Sequence, residues 1–131
     1  MTTAGYSGKP LDQKLGFKPG DEVFVLITPD WYSDFADKIG FEITPDLPAN
    51  NAHIFCEKLS ELTEFLKDYN LNDIDKSLWV SWPKKASGIK TDLTEQSFRD
   101  AILPLGWVDI KVAAIDDTWS GLKFTRRKKL T

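Results

Sequence analysis

At 131 residues, with 41% hydrophobic and 28% charged residues, the chain has the size and balance of one globular domain with a sizeable core, not of a disordered segment. A net charge of −3 gives the whole molecule no field that would draw in nucleic acid or an anionic membrane. The longest apolar run, Val23 to Ile27, is far too short to span a bilayer; the N-terminus lacks the regions of a signal peptide, and the single Cys56 precludes an intrachain disulfide, so a cytoplasmic protein is expected.

Residues 1–9 are small and polar and read as an irregular arm. Pro10 to Leu15 predicts a short helix closed by Gly16, and Lys18-Pro19-Gly20-Asp21 a turn. Val23 to Ile27, apolar throughout, predicts a strand covered on both faces and near the middle of the sheet. Trp31, Phe35 and Ile39 recur at helical spacing up to Gly40. Phe41 to Thr44 predicts a short strand stopped by Pro45 and Pro48, and Ala52 to Cys56 the next one. Leu59, Leu62, Phe65, Leu66 and Tyr69 then follow a helical period.

Leu78 to Trp82 predicts a third buried strand, ended by Pro83. Asp92 and Glu95 form a capping-box-like pair opening a helix whose apolar face is Phe98, Ala101, Ile102 and Leu105. Pro104 and Gly106 close it. Val108, Ile110, Val112 and Ala114 alternate as in a strand, and a short loop, Asp116 to Ser120, leads to a last strand with Leu122 and Phe124 on one face. Arg126-Arg127-Lys128-Lys129 opens a basic tail, 126–131. Strands alternating with helices imply a single α/β domain over 1–131, with a mostly parallel sheet and a C-terminal antiparallel hairpin.

The stretch Leu15-Gly16-Phe17-Lys18-Pro19-Gly20-Asp21-Glu22-Val23-Phe24-Val25-Leu26 resembles the entry into the first strand of class I methyltransferases, and the resemblance implies a trimmed Rossmann-like scaffold. In that family a glycine-rich loop follows, close to S-adenosylmethionine. Here the matching positions are Thr28-Pro29-Asp30-Trp31-Tyr32, with no glycine, and Pro29 removes a backbone donor. The segment from Thr44 to Ala52 is also too short for the strand and helix that wall the adenine. No cofactor is therefore expected. A second resemblance rests on Trp79-Val80-Ser81-Trp82-Pro83-Lys84-Lys85-Ala86-Ser87-Gly88, Thr91-Asp92-Leu93-Thr94-Glu95, Asp117-Thr118-Trp119-Ser120-Gly121-Leu122-Lys123 and Ala4-Gly5-Tyr6-Ser7-Gly8. These look like an uncharacterised bacterial domain-of-unknown-function family, DUF3052, which implies a fold and no chemistry.

His53 and Cys56 are the classical soft ligands, but three residues apart on a strand they face opposite sides, so no metal site is expected. No Gly-x-Ser-x-Gly elbow surrounds a serine. Pro83 to Gly88 follows a strand and offers two ammoniums, a hydroxyl and loop amides to a phosphate or carboxylate, without P-loop spacing; a solvated turn is the other reading. Trp119, placed in a hairpin tip, either packs over the sheet edge or takes part in recognition. The tail cations either touch phosphates or keep the last strand soluble.

In open α/β sheets, ligands bind beyond the carboxyl ends of the strands. Trp31, Tyr32, Lys84, Lys85, Ser87, Asp117 and Trp119 are expected to gather there as a binding surface for a small anionic molecule or a protein partner, with no catalytic residue. Two other readings stand beside this one: a divergent methyltransferase-like enzyme, and a nucleic-acid accessory protein using the tail.

Overall fold

The structure, a computed structural model, describes residues 10–127. Its elements run α1 (Leu11–Leu15), β1 (Glu22–Leu26), α2 (Tyr32–Ile39), β2 (Glu42–Thr44), β3 (Ala49–Phe55), α3 (Leu59–Asp68), β4 (Ile74–Pro83), α4 (Glu95–Ile102), β5 (Trp107–Ala114) and β6 (Trp119–Arg126). The strands form one six-stranded sheet in the order β2-β1-β3-β4-β6-β5. β2, β1, β3 and β4 are mutually parallel, while β6 is antiparallel to both β4 and β5. This is a Rossmann-like α/β sheet closed by an antiparallel hairpin.

The alternation of side chains along each strand divides the core into two layers. On one face Phe24, Ile54, Val80, Leu122 and Phe124 pack with Leu62 and Phe65 of α3 and with Phe98 and Ile102 of α4. On the other, Val23, Phe55, Trp79 and Trp119 pack with Leu15 of α1 and with Tyr32 and Ala36 of α2. Trp79, Trp82, Trp107 and Trp119 are all buried. Among the described residues no helix is long and apolar enough to cross a membrane.

Several expectations shift. β1 is internal but second from the β2 edge; β3 and β4 hold the centre. β2 pairs only with Glu22–Phe24, and Val25 and Leu26 beyond it are partly buried against the two core layers. α4 is capped by Thr94 with Ser97, not by Asp92 with Glu95, because Asp92 is taken elsewhere. Leu105, expected on the buried face of α4, lies in a following 3-10 turn and is 50% exposed. Ile110 and Val112 are also exposed: β5 is an edge strand, and a register shift between Asp109 and Lys111 turns its apolar residues away from a single inward face. Trp119 is the first residue of β6 rather than a hairpin tip.

The arm, residues 1–9, and the tail residues 128–131 lie outside the described residues. Arg126, expected in the tail, is instead the last residue of β6. Its guanidinium donates to the carbonyls of Ile74 at 2.7 Å and Asn72 at 2.6 Å and lies 5.2 Å over the Trp107 ring. Arg127 donates to the Leu103 carbonyl at 3.4 Å.

Candidate functional site

Three expected loops emerge at the carboxyl edge of the sheet. β5 runs in the same direction as β4, because each is antiparallel to β6 between them, so the β5–β6 turn and the end of β4 share that edge. The backbone N–H of Lys84 donates to Thr118 O at 2.8 Å, and Pro83 stands opposite Trp119. Lys84 and Trp119 are thus neighbours.

Five of the seven expected residues fall into two groups. Trp31, Tyr32 and Trp119 belong to the packed layer beneath the edge: Trp31 stacks on Tyr32 at 5.5 Å, Tyr32 meets Phe55 edge-on at 5.7 Å, and Phe55 meets Trp119 at 5.1 Å. Tyr32 is 1% and Trp119 8% exposed. The Trp31 indole donates to the Asp116 carboxylate at 3.0 Å, fastening the β5–β6 turn to the β1–α2 loop. Asp116 also accepts the backbone N–H groups of Thr118 and Trp119, both at 2.8 Å, which shapes that turn.

Lys84 and Lys85 form the second group. They line a cleft of roughly 450 Å³ between the end of β4 and the entry to α4, shared with Trp82, Thr91, Leu93, Thr94 and Ser120 and with the acids Asp92 and Glu95. Ser87 and Asp117 lie outside its lining. The Ser87 hydroxyl donates to Lys84 O at 2.6 Å and accepts from Ile89 N–H at 3.1 Å, which closes the lysine turn on itself. Asp117 stands exposed at the tip of the β5–β6 turn.

The amides at the start of α3 are occupied from within the chain. Glu61 accepts from Glu57 N–H at 2.7 Å and Lys58 N–H at 3.1 Å, and Asp92 accepts from Leu59 N–H at 2.7 Å. An anion in the cleft beside Lys84 and Lys85 therefore does not have these α3 amides as partners.

His53 and Cys56 do face opposite layers. His53 lies between Tyr32 Oη, 2.8 Å from its Nδ1, and Ser81 Oγ, 2.8 Å from its Nε2. All three side chains are within 1% of full burial. Burial lowers the His53 pKa to about 3 and raises that of Tyr32, so the histidine is a neutral structural link between α2 and β4. Cys56 is fully buried; burial, and secondarily the Glu61 carboxylate, push its thiol up to about 12.

A third set of groups has no sequence motif. α1 is tied to β5 by two lysines: Lys14 Nζ donates to Ala114 O at 3.1 Å and Lys111 Nζ to Lys14 O at 3.0 Å. Lys111 stands opposite Lys123 in the β5–β6 ladder. This pairing becomes readable from the sequence once the turn is fixed at four residues, 115–118.

A family model described as a domain of unknown function (DUF8412) matches residues 54–131. The match gives neither the DUF3052 number nor a bacterial source. A search of curated proteins finds no match. Among solved structures, the chain is similar to a protein in the NADB-Rossmann superfamily from Streptococcus agalactiae. The TM-score is 0.55 at 8% identity, over 98% of this chain and 73% of that one. It is similar to DhpI in complex with SAH, with TM-score 0.55 and 8% identity over 91% and 83% of the two chains. It is also similar to magnesium protoporphyrin IX methyltransferase (ChlM) from Synechocystis PCC 6803 with bound SAM, with TM-score 0.53 and 10% identity over 88% and 74%. Likeness at such identity establishes the methyltransferase-like fold alone.

Proposed function

This chain belongs to the family of the domain of unknown function DUF8412, and from that starting point we propose that it is a non-catalytic binding domain holding a small anionic molecule at the carboxyl edge of its sheet. The observation that carries this reading is the cleft beside Lys84 and Lys85, at the end of β4. Open α/β sheets take ligands at that edge. The lysine turn is held rigid by Ser87 and by the bond from Lys84 N–H to Thr118, so little ordering is needed on binding. Trp119 supports the turn from beneath.

The test is titration calorimetry with inorganic phosphate on the full chain and on Lys84→Ala with Lys85→Ala. Saturable binding that the double variant weakens by about tenfold or more, at unchanged melting temperature, supports the reading. Equal binding by both proteins overturns it.

A divergent methyltransferase is the second reading, favoured by the fold likeness to the DhpI and ChlM structures. The residues after β1 speak against it: they include no glycine, and Pro29 offers no N–H. A nucleic-acid role for the basic tail is weakened by Arg126 and Arg127, which are bonded to the body of the domain.

A further inference from the structure

We propose that the cleft beside Lys84 and Lys85 takes a small zwitterion, with its anionic group at the lysine side and its ammonium at Glu95. The proposal rests on the anion-binding reading above and adds the other end of the ligand. The cleft has two sides of opposite sign. Lys84 and Lys85 stand where β4 ends, and Asp92 and Glu95 stand at the entry to α4. Trp82 and Leu93, both buried, give it an apolar lining as well.

The two acids are held in place by groups that do not line the cleft. One Asp92 oxygen accepts the Leu59 N–H at 2.7 Å, and one Glu95 oxygen accepts from the Arg99 guanidinium at 2.8 Å. The other oxygen of each carboxylate makes no hydrogen bond among the described residues. Arg99 does not neutralise this side, because its guanidinium is shared with Asp109 at 2.9 Å. Lys85 forms no ion pair with either acid among the described residues. Opposite charges, Lys85 on one side and Glu95 on the other, thus share the cleft without cancelling.

The ligand class follows from this lining. A bare anion gains from the lysines and loses to the acids, since two carboxylates line the cleft beside two ammoniums. A bare cation meets the reverse. A molecule carrying both charges meets the opposite sign at each end, and charge complementarity of this kind gives specificity. The volume, roughly 450 Å³, is in the range of small-molecule sites. Glu95 rather than Asp92 is assigned to the ammonium because it is the less exposed of the two, and a partly buried charge pair is screened less than an exposed one.

O-Phosphoethanolamine is the probe, titrated by calorimetry into the full chain at neutral pH and low ionic strength. Beside it stand ethyl phosphate, which keeps the anion and lacks the ammonium, and ethanolamine, which has the ammonium alone. Phosphoethanolamine is expected to bind at least about fivefold more tightly than ethyl phosphate, with ethanolamine weaker than both. Glu95→Gln is expected to remove that preference while ethyl phosphate binds at least as well as before. Its melting temperature should stay nearly unchanged, because the amide oxygen still accepts from Arg99. A preference that survives in Glu95→Gln overturns the assignment of the ammonium to Glu95. Equal binding of phosphoethanolamine and ethyl phosphate, both weakened by Lys84→Ala with Lys85→Ala, overturns the zwitterion and leaves the anion-binding reading standing. Ethanolamine binding as tightly as phosphoethanolamine overturns the zwitterion by making the lysine side idle, and no binding of any of the three overturns both readings.

Discussion

The carboxylate of Asp92 accepts the backbone N–H of Leu59 at 2.7 Å across 33 residues of sequence. It joins the connection before α4 to the first turn of α3, so one side chain fixes the relative placement of two helices on the same face of the sheet. Helix N-terminal amides otherwise lack a partner, and removing such a cap costs about 1 kcal/mol. Asp92→Ala is expected to lower stability by about that amount in urea denaturation, and Asp92→Asn by less, since its amide oxygen still accepts. An unchanged midpoint for Asp92→Ala would show that the cap contributes nothing in solution.

The Asp92 bond also marks where the sequence stops being readable. Periodicity located α2, α3 and α4, and unbroken apolar runs located β1 and β4, because burial of one stripe or of two faces leaves a local pattern. Asp92 stands three residues before Glu95, which looks like a local cap, yet its partner is chosen by tertiary proximity. The exposure of Ile110 and Val112 is similar: alternation marks β5 as a strand, but only the sheet order makes it an edge. Of the candidate site, Lys84 and Lys85 were legible because they follow a strand and precede a helix. The acids Asp92 and Glu95 were not legible as its other side, since the entry to α4 meets the end of β4 only through the packing of the helix on the sheet.

His53 should set a pH dependence of stability. Its folded pKa is about 3, against 6.5 for a free histidine. Between these values the unfolded chain binds a proton that the folded chain refuses, so stability is full above pH 6.5 and falls as pH drops through the window. The slope approaches about 1.4 kcal/mol per pH unit once the unfolded histidine is charged. Ordinary carboxylates titrate near 4, so the range from pH 6.5 to 5 isolates His53. Chemical denaturation at these two pH values should show the loss, and His53→Gln should flatten it. A flat wild-type profile would contradict a buried neutral histidine.

Gly121 is fixed by close approach. A Cβ there would stand 2.8 Å from Ile115 Cδ1 and 3.1 Å from Trp79 Cε3. Trp79 is fully buried and its indole nitrogen donates to Leu15 O at 3.0 Å, so the ring cannot retreat without breaking the α1 contact. Gly121→Ala is expected to cost about 1–3 kcal/mol, measured by thermal unfolding. A variant as stable as the parent would mean that the Ile115 side chain alone absorbs the methyl group.

Ile27 holds a left-handed backbone, with φ of 56°, directly after β1, and its side chain is 55% exposed. A β-branched residue in that region is strained by about 1–3 kcal/mol, and an exposed isoleucine recovers little of this by burial. Ile27→Gly is therefore expected to raise stability by about 1 kcal/mol after the greater freedom of glycine in the unfolded chain is allowed for. The same variant separates the fold from the cofactor chemistry of its structural neighbours. If Ile27 alone blocked S-adenosylmethionine, glycine at this position would admit it. The following segment, Thr28 to Tyr32, still has no glycine for a close backbone approach, and Pro29 still has no N–H to offer. Calorimetry with S-adenosylmethionine should thus show no binding in the micromolar range for either the wild-type chain or Ile27→Gly. Micromolar affinity in the wild type would return the chain to the methyltransferases in function as well as in fold, and affinity gained only in the variant would make Ile27 the residue that excludes the cofactor.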